Sequence, residues 1–173
     1  MMTKYYTVDR RMRLSVGQIL GLSPVDLQSI PDLEAHYKHL FPNGVSDHGH
    51  RYLPHRANER DPSIELLWEF VRRAAFPHRP SRLTSVFAWQ SLDDARRFKR
   101  ENHLTDARIY ELKGGNPFVA NMSLLNNSTP LLRTSQMAHA YWEGGVGPTT
   151  VGLADPRWEV LLSAPVIVGA EVS

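Results

Sequence analysis

The 173-residue sequence contains no cysteine, which excludes disulfide bonds, thiolate nucleophiles and zinc–thiolate sites. It has no apolar run long enough to span a bilayer and no apolar signal region near its N-terminus. The sequence also lacks a large excess of either charge, because it has 20 Lys and Arg residues and 18 Asp and Glu residues. The net charge of +2 does not indicate nucleic-acid binding. We therefore expect no signal peptide, no membrane partner, and a protein that is cytoplasmic or delivered into a target cell.

The length fits one domain over residues 1–173 with a single hydrophobic core. Twelve prolines and 11 glycines indicate many turns rather than a helical bundle. Helical patterns crowd the first half of the chain and strand patterns the second, which favours the α+β class over alternating α/β.

Apolar periodicity and capping residues predict the order of the elements. Strands are predicted over residues 4–8, 83–89, 107–112 and 118–125, and on both sides of a hinge at 163–165. Helices are predicted over residues 11–20, 33–40, 61–76, 91–99 and 135–142, with a short one capped by Ser23. Residues 41–61 are polar and rich in Gly, His and Pro, and we expect a mobile loop that faces an acceptor molecule.

Glu159 opens the first of the two terminal strands. A charge does not help a buried strand to fold, so its position suggests chemistry. The competing interpretation is a solvent-facing residue at the start of a strand.

Two other strands carry candidate ligand contacts. Ser85 and Phe87 share one face of the strand that follows Arg82, and a half-buried strand with satisfied hydroxyls is the alternative. Tyr6 and Thr7 lie on the first strand, where the functional interpretation makes them the floor of a cleft and the alternative is simple packing.

Trp142 lies next to Gly144-Gly145, where it either belongs to the core or lines a pocket. The segment Asp47-His48-Gly49-His50, with His55 nearby, has metal-ligand residue types but no helical pair of histidines with a glutamate between them. We expect no metal there, and a metal-dependent hydrolase is a minor alternative.

The order of these pieces resembles the ADP-ribosyltransferase fold. An aromatic first strand is followed by Ser85-Val86-Phe87-Ala88 and then by Glu159-Val160-Leu161-Leu162. The stretches around Trp68-Glu69-Phe70-Val71 and Tyr141-Trp142-Glu143-Gly144 are also similar to the DUF2441 family of small bacterial domains. The resemblance covers most of the chain except residues 41–61, and it implies two small packed antiparallel or mixed sheets with an NAD cleft and flanking helices.

The resemblance implies roles for individual residues. Glu159 matches the catalytic glutamate of the late strand, and Ser85 or Phe87 matches the middle-strand position. Thr7 stands where the family has Arg or His, so we expect Arg82 or Arg10 to supply the cation for the NAD phosphates. Tyr6, Phe87 and Trp142 are the candidates for an aromatic surface against nicotinamide.

The implied function is mono-ADP-ribosyl transfer from NAD, as the substrate, to a protein or other macromolecular acceptor. Arg157 stands where arginine-modifying members have a second glutamate, so arginine is not the expected acceptor. The implied setting is a toxin or effector, with an immunity protein or chaperone as a further partner. The alternatives are a catalytically inactive binding module and an NAD glycohydrolase.

Overall fold

The computed structural model describes residues 3–54, 62–148 and 155–172. The strands are β1 (Tyr5–Asp9), β2 (Ile19–Leu20), β3 (Ser85–Ala88), β4 (Arg108–Lys113), β5 (Pro117–Asn121), β6 (Trp158–Ser163) and β7 (Val166–Val172). The helices are α1 (Pro31–Leu40), α2 (Asp47–Tyr52), α3 (Pro62–Ala75), α4 (Leu92–Glu101) and α5 (Leu131–Glu143), and single 3-10 turns form at Arg82–Thr84 and Met122–Leu124.

The strands form two antiparallel sheets, which confirms the α+β class. The first sheet has the order β1-β4-β7-β2 and the second the order β3-β6-β5. The two sheets meet where Tyr6 exchanges backbone hydrogen bonds with Trp89, at 3.0 Å and 2.7 Å. This junction places the end of β3 beside β1, and a cleft opens next to it.

The core lies on both faces of the second sheet. On one face, Trp68 of α3 and Trp142 of α5 pack with Leu161 of β6. On the other face, Val160 of β6 packs with Leu112 of the first sheet. Since neighbouring residues on β6 point to opposite faces, the strand is buried on both sides.

Several predicted elements are confirmed. The hydroxyl of Ser91 accepts a hydrogen bond from the backbone N–H of Asp94 at 3.1 Å, and α4 begins there. The predicted helix after Asp61 is α3, and α5 ends at Gly144, whose φ of 80° lies in the left-handed region. The two terminal strands are β6 and β7.

The helix predicted over residues 11–20 is wrong. Met12 and Gly17 have positive φ values of 50° and 85°, which break a helix, and only Ile19 and Leu20 are regular, as β2. The segment is held to β7 because the N–H of Gly17 donates to the Val168 carbonyl at 2.9 Å. The apolar spacing misled the prediction because Met12 and Ile19 face solvent.

The short helix at Ser23 is also wrong. The backbone of Ser23 instead exchanges hydrogen bonds with Val45 at 3.0 Å and 2.9 Å. The residues that follow Ser23 form no helix, and the next helix, α1, begins only at Pro31. The predicted strand over residues 83–89 starts late, at Ser85, because the Thr84 N–H donates to the Ser81 carbonyl at 3.1 Å and closes a 3-10 turn, which the Ser81 hydroxyl caps.

The loop predicted over residues 41–61 contains a helix, α2, and residues 55–61 lie outside the described part of the chain. Ser46 anchors the start of α2, since its N–H and its hydroxyl donate to the Leu83 carbonyl at 3.0 Å and 3.1 Å. A Cβ at Gly49 would lie 2.4 Å from the same Leu83 oxygen. Only glycine lets α2 approach the backbone before β3 so closely.

Candidate functional site

A cleft of about 590 Å³ lies between α2, β1 and β3. Its volume is in the range of small-molecule and cofactor sites. Six of the candidate ligand-contact residues predicted from the sequence line it: Thr7, Arg10, Arg82, Ser85, Phe87 and Glu159. The sequence therefore identified one side of the cleft.

Two predicted residues do not line this cleft. Trp142 is fully buried in the core, where its indole N–H donates to the Trp68 carbonyl at 2.8 Å and its ring stacks on Phe118. Tyr6 contributes its backbone to the junction with Trp89. We therefore assign both residues to the framework of the fold.

The floor of the cleft is a buried network centred on Arg82. Its Nε and Nη2 donate to the two carboxylate oxygens of Glu65 at 3.0 Å and 3.1 Å. Its Nη1 donates to Tyr141 Oη at 2.6 Å and to Glu159 Oε1. Tyr141 Oη in turn donates to Glu159 Oε1 at 2.8 Å. The guanidinium thus joins two carboxylates and a phenol.

Four separate elements bring this network together. Glu65 comes from α3, Tyr141 from α5, Arg82 from the 3-10 turn before β3, and Glu159 from β6. The register pairs Ala120 with Glu159, and both point to the sheet face that packs on α3 and α5. This pairing fixes the direction of the Glu159 side chain toward Arg82 and Tyr141.

Burial decides the electrostatics of the network. Arg82 is only 3% exposed, and Glu65 and Glu159 are each 5% exposed. Burial alone would raise the pKa of Glu65, but the Arg82 guanidinium and then His48 hold it well below its usual value. Burial and the Glu159 carboxylate raise the pKa of Tyr141 well above its usual value despite Arg82, so the phenol stays neutral.

These contacts change the role that the sequence analysis gave to Arg82. We expected a cation for the NAD phosphates, but the side chain is buried and already joins Glu65 to Glu159. Its guanidinium also lies over the Phe87 ring, 4.8 Å from the centroid. Arg82 is therefore placed to hold Glu159 rather than to meet a phosphate.

Four other arginines line the cleft: Arg10, Arg11 and Arg13 are exposed, and Arg51 is half-buried. Arg11 forms an ion pair with Asp47 at 3.3 Å, and Arg10 lies over the Phe98 ring at 4.7 Å. Arg10 directly follows β1, and Arg11 and Arg13 come from the segment that was predicted as a helix. The cleft therefore combines a buried carboxylate with an arginine-rich mouth.

Helix α2 supplies an aromatic wall that the sequence analysis placed on a loop. The His48 ring lies 4.5 Å from the Phe87 ring and 4.7 Å from the Tyr52 ring, measured between centroids. His48 Nε2 is buried 3.1 Å from Glu65 Oε1, without the geometry of a hydrogen bond. The wall therefore continues from Phe87 to Tyr52 along one side of the cleft.

The two described histidines of the Asp47–His50 segment have different neighbours. His48 faces Glu65, whereas His50 Nε2 lies 2.8 Å from the Ser23 hydroxyl. Among residues 3–54, 62–148 and 155–172, no three side chains of metal-ligating type come together. His55 lies outside those residues.

Glu65, Tyr141 and the role of His48 were not predicted from the sequence. Glu65 and Glu69 lie in the helix predicted over residues 61–76, and both are buried. A signal was present, because positions 65, 68 and 69 share one helix face at the i, i+3, i+4 spacing and Trp68 marks that face as buried. Two carboxylates on a buried face require cationic partners.

Comparison with known proteins identifies a family but no curated relative. No curated protein matches the chain. The model of one family matches residues 46–168, which is well over half of the chain. The match begins at α2, so it includes part of the 41–61 segment that the resemblance left out, and it excludes β1 and β2.

All four members of the buried network, Glu65, Arg82, Tyr141 and Glu159, lie inside the matched residues. None of the helices within the described residues combines the length and apolar character that a bilayer crossing needs. The chain therefore belongs to the family described as Protein of unknown function (DUF2441).

Proposed function

We propose that this protein cleaves NAD and transfers ADP-ribose to a macromolecular acceptor, with Glu159 as the catalytic carboxylate. One observation carries the proposal: Glu159 lines a cleft whose buried floor has two carboxylates for one guanidinium, while arginines surround the mouth. NAD has the matching pattern of a cationic pyridinium ring and an anionic pyrophosphate.

The carboxylate suits the bond that has to break. When the bond between nicotinamide and ribose lengthens, its electron pair moves to the nicotinamide nitrogen and positive charge builds on the sugar. A carboxylate beside the sugar stabilises that oxocarbenium-like state, as in glycoside hydrolysis. Because Glu159 is buried, its charge is less screened by water than a surface carboxylate would be.

The mouth suits the phosphates. Arg10, Arg11 and Arg13 are exposed and line the cleft, and guanidinium groups match phosphate oxygens in geometry. Thr7, which stands where the related enzymes have Arg or His, donates its hydroxyl to the Phe87 carbonyl at 2.9 Å. We propose that Thr7 closes the base of the cleft and that the arginines beyond β1 replace the missing cation.

In the transfer, a nucleophile of the acceptor attacks the sugar carbon, forms a new bond to ribose and releases its proton. Water in the place of the macromolecule gives free ADP-ribose, which is the glycohydrolase reaction. Both reactions use Glu159 in the same way. They differ only in where the ADP-ribose is found.

A catalytically inactive binding module is the second candidate. The observation that favours it is the ion pair between Arg82 and Glu159, since a paired carboxylate stabilises a developing cation less than a free one. In this alternative the cleft binds a nucleotide without turnover.

The test uses NAD with a radiolabelled adenylate group, purified protein and a cell lysate. Wild type should release nicotinamide and label a macromolecule, whereas Glu159→Gln should bind NAD and lower turnover by about 10²-fold or more. Glu171→Gln is the matched control, because Glu171 is exposed on β7 and does not line the cleft. Label found only as free ADP-ribose would favour the glycohydrolase, and NAD binding without nicotinamide release would favour the inactive module.

A further inference from the structure

Glu65 lies behind the cleft rather than on its surface. It does not line the cavity, yet it takes both Nε and Nη2 of Arg82. Glu159 receives only Nη1, and it shares that nitrogen with Tyr141. Arg82 therefore donates two hydrogen bonds to the carboxylate behind the cleft and one to the carboxylate that lines it.

We infer that Glu65 is a positioning residue of the proposed site: by engaging Arg82 from behind, it leaves the cleft floor with a surplus negative charge at Glu159. The inference rests on the proposed function for its consequence in catalysis. Glu65 sets the charge of the cleft surface that a ligand contacts, and Glu65 itself does not contact the ligand.

The charges of the groups in the network support a surplus of one negative charge. Two carboxylates and one guanidinium leave one negative charge, and Tyr141 is neutral. The fourth group in contact is His48, 3.1 Å from Glu65. Without the charge of Glu65, Arg82 and Glu159 would form a neutral pair whose effect on a cationic ligand largely cancels.

The chain offers a closely matched control one turn further along α3. Glu69 is also buried and also bound by arginines, since Arg72 and Arg73 donate to it at 2.7–3.0 Å. Ser81 donates to it as well, at 2.8 Å, and neither Arg82 nor Glu159 contacts it. Glu69→Gln thus removes a buried, paired carboxylate of the same helix without changing the charge of the cleft floor.

The first experiment compares NAD consumption by wild type, Glu65→Gln and Glu69→Gln. Urea unfolding first establishes that each variant is folded under assay conditions. Glu65→Gln should lower kcat/KM by about tenfold or more, because the lost charge acts both on the bound pyridinium and on the cation that develops on the sugar. Glu69→Gln should keep kcat/KM near wild type. Equal kcat/KM in folded Glu65→Gln and Glu69→Gln would overturn the inference.

The second experiment needs no turnover. It compares the affinities for 1-methylnicotinamide, a pyridinium cation, and for nicotinamide, its neutral analogue, by calorimetry. Wild type and Glu69→Gln should prefer the cation, and Glu65→Gln should lose about tenfold in affinity for the cation alone. A wild type that binds the cation no better than the neutral ring, or a Glu65→Gln variant that keeps the preference, would overturn the inference.

The two experiments separate the two proposals. If wild type releases no nicotinamide from NAD but its preference for the cation depends on Glu65, the proposed reaction fails and the inference stands. If wild type consumes NAD and Glu65→Gln matches it in both experiments, the reaction stands and the inference fails.

Discussion

Replacing Arg82 by methionine should destabilise the protein strongly. Methionine approximates the length of arginine but leaves Glu65 and Glu159 buried without their shared cation. Removing one partner of a buried ion pair typically costs about 3–5 kcal/mol, because the remaining charge is uncompensated. Arg82 joins two carboxylates and is 3% exposed, so we expect a value in that range.

The measurement is urea unfolding at neutral pH together with thermal unfolding. For a chain of this length, 1 kcal/mol corresponds to about 2–4 °C, so the melting temperature should fall by about 6–20 °C. The control is Arg97→Met on α4, which removes a surface ion pair with Glu101 and should cost about 1 kcal/mol or less.

The variant with Glu65→Gln and Glu159→Gln added to Arg82→Met gives a second readout. Since the unpaired charges are then absent, part of the lost stability should return. An Arg82→Met protein no less stable than Arg97→Met, or a triple variant less stable than Arg82→Met alone, would refute the reasoning.

Two further predictions concern stability. Because folding depresses the pKa of Glu65, its carboxylate stabilises the fold above the ordinary glutamate pKa of about 4.3, and this stabilisation is lost as pH falls below that value. The free energy of unfolding, measured by denaturant titration, should therefore decline below that pH, and less steeply in Glu65→Gln than in wild type. An equally steep decline with pH in the two proteins would contradict this. Gly49→Ala should cost about 1–3 kcal/mol, because the new Cβ would lie 2.4 Å from the Leu83 carbonyl. Gly21→Ala, which meets nothing within 4 Å, is the control, and equal stability of the two variants would count against the packing of α2.

The sequence predicted most of the elements whose signals are local. The cap at Ser91, the apolar stripe of α3 and the hinge between the terminal strands each need only neighbouring residues to be recognised. Residues 11–20 show the limit of this approach. Their apolar spacing fits a helix, but positive φ at Met12 and Gly17 and backbone bonds to β7 decide their structure.

The candidate site was predicted only in part, for a related reason. Glu159, Ser85 and Phe87 were predicted as cleft residues mainly through the resemblance to the ADP-ribosyltransferase fold, and all three line the cleft. The partners of Arg82 are 17, 59 and 77 residues away along the chain, so no local pattern connects them. The buried state of Arg82, which decides its role, follows from tertiary packing alone.

The order of the first sheet has a consequence for the boundaries of the folding unit. The family match starts at residue 46, but β1 and β2 flank β4 and β7 as the two outer strands of that sheet. A polypeptide trimmed to the matched segment would keep Glu65, Arg82, Tyr141 and Glu159 but reduce the sheet to two strands with both edges bare. Bare edges pair with other chains, and two-stranded sheets are only marginally stable. In this protein the first 45 residues therefore supply β1 and β2, the strands that cover both edges of the β4–β7 pair.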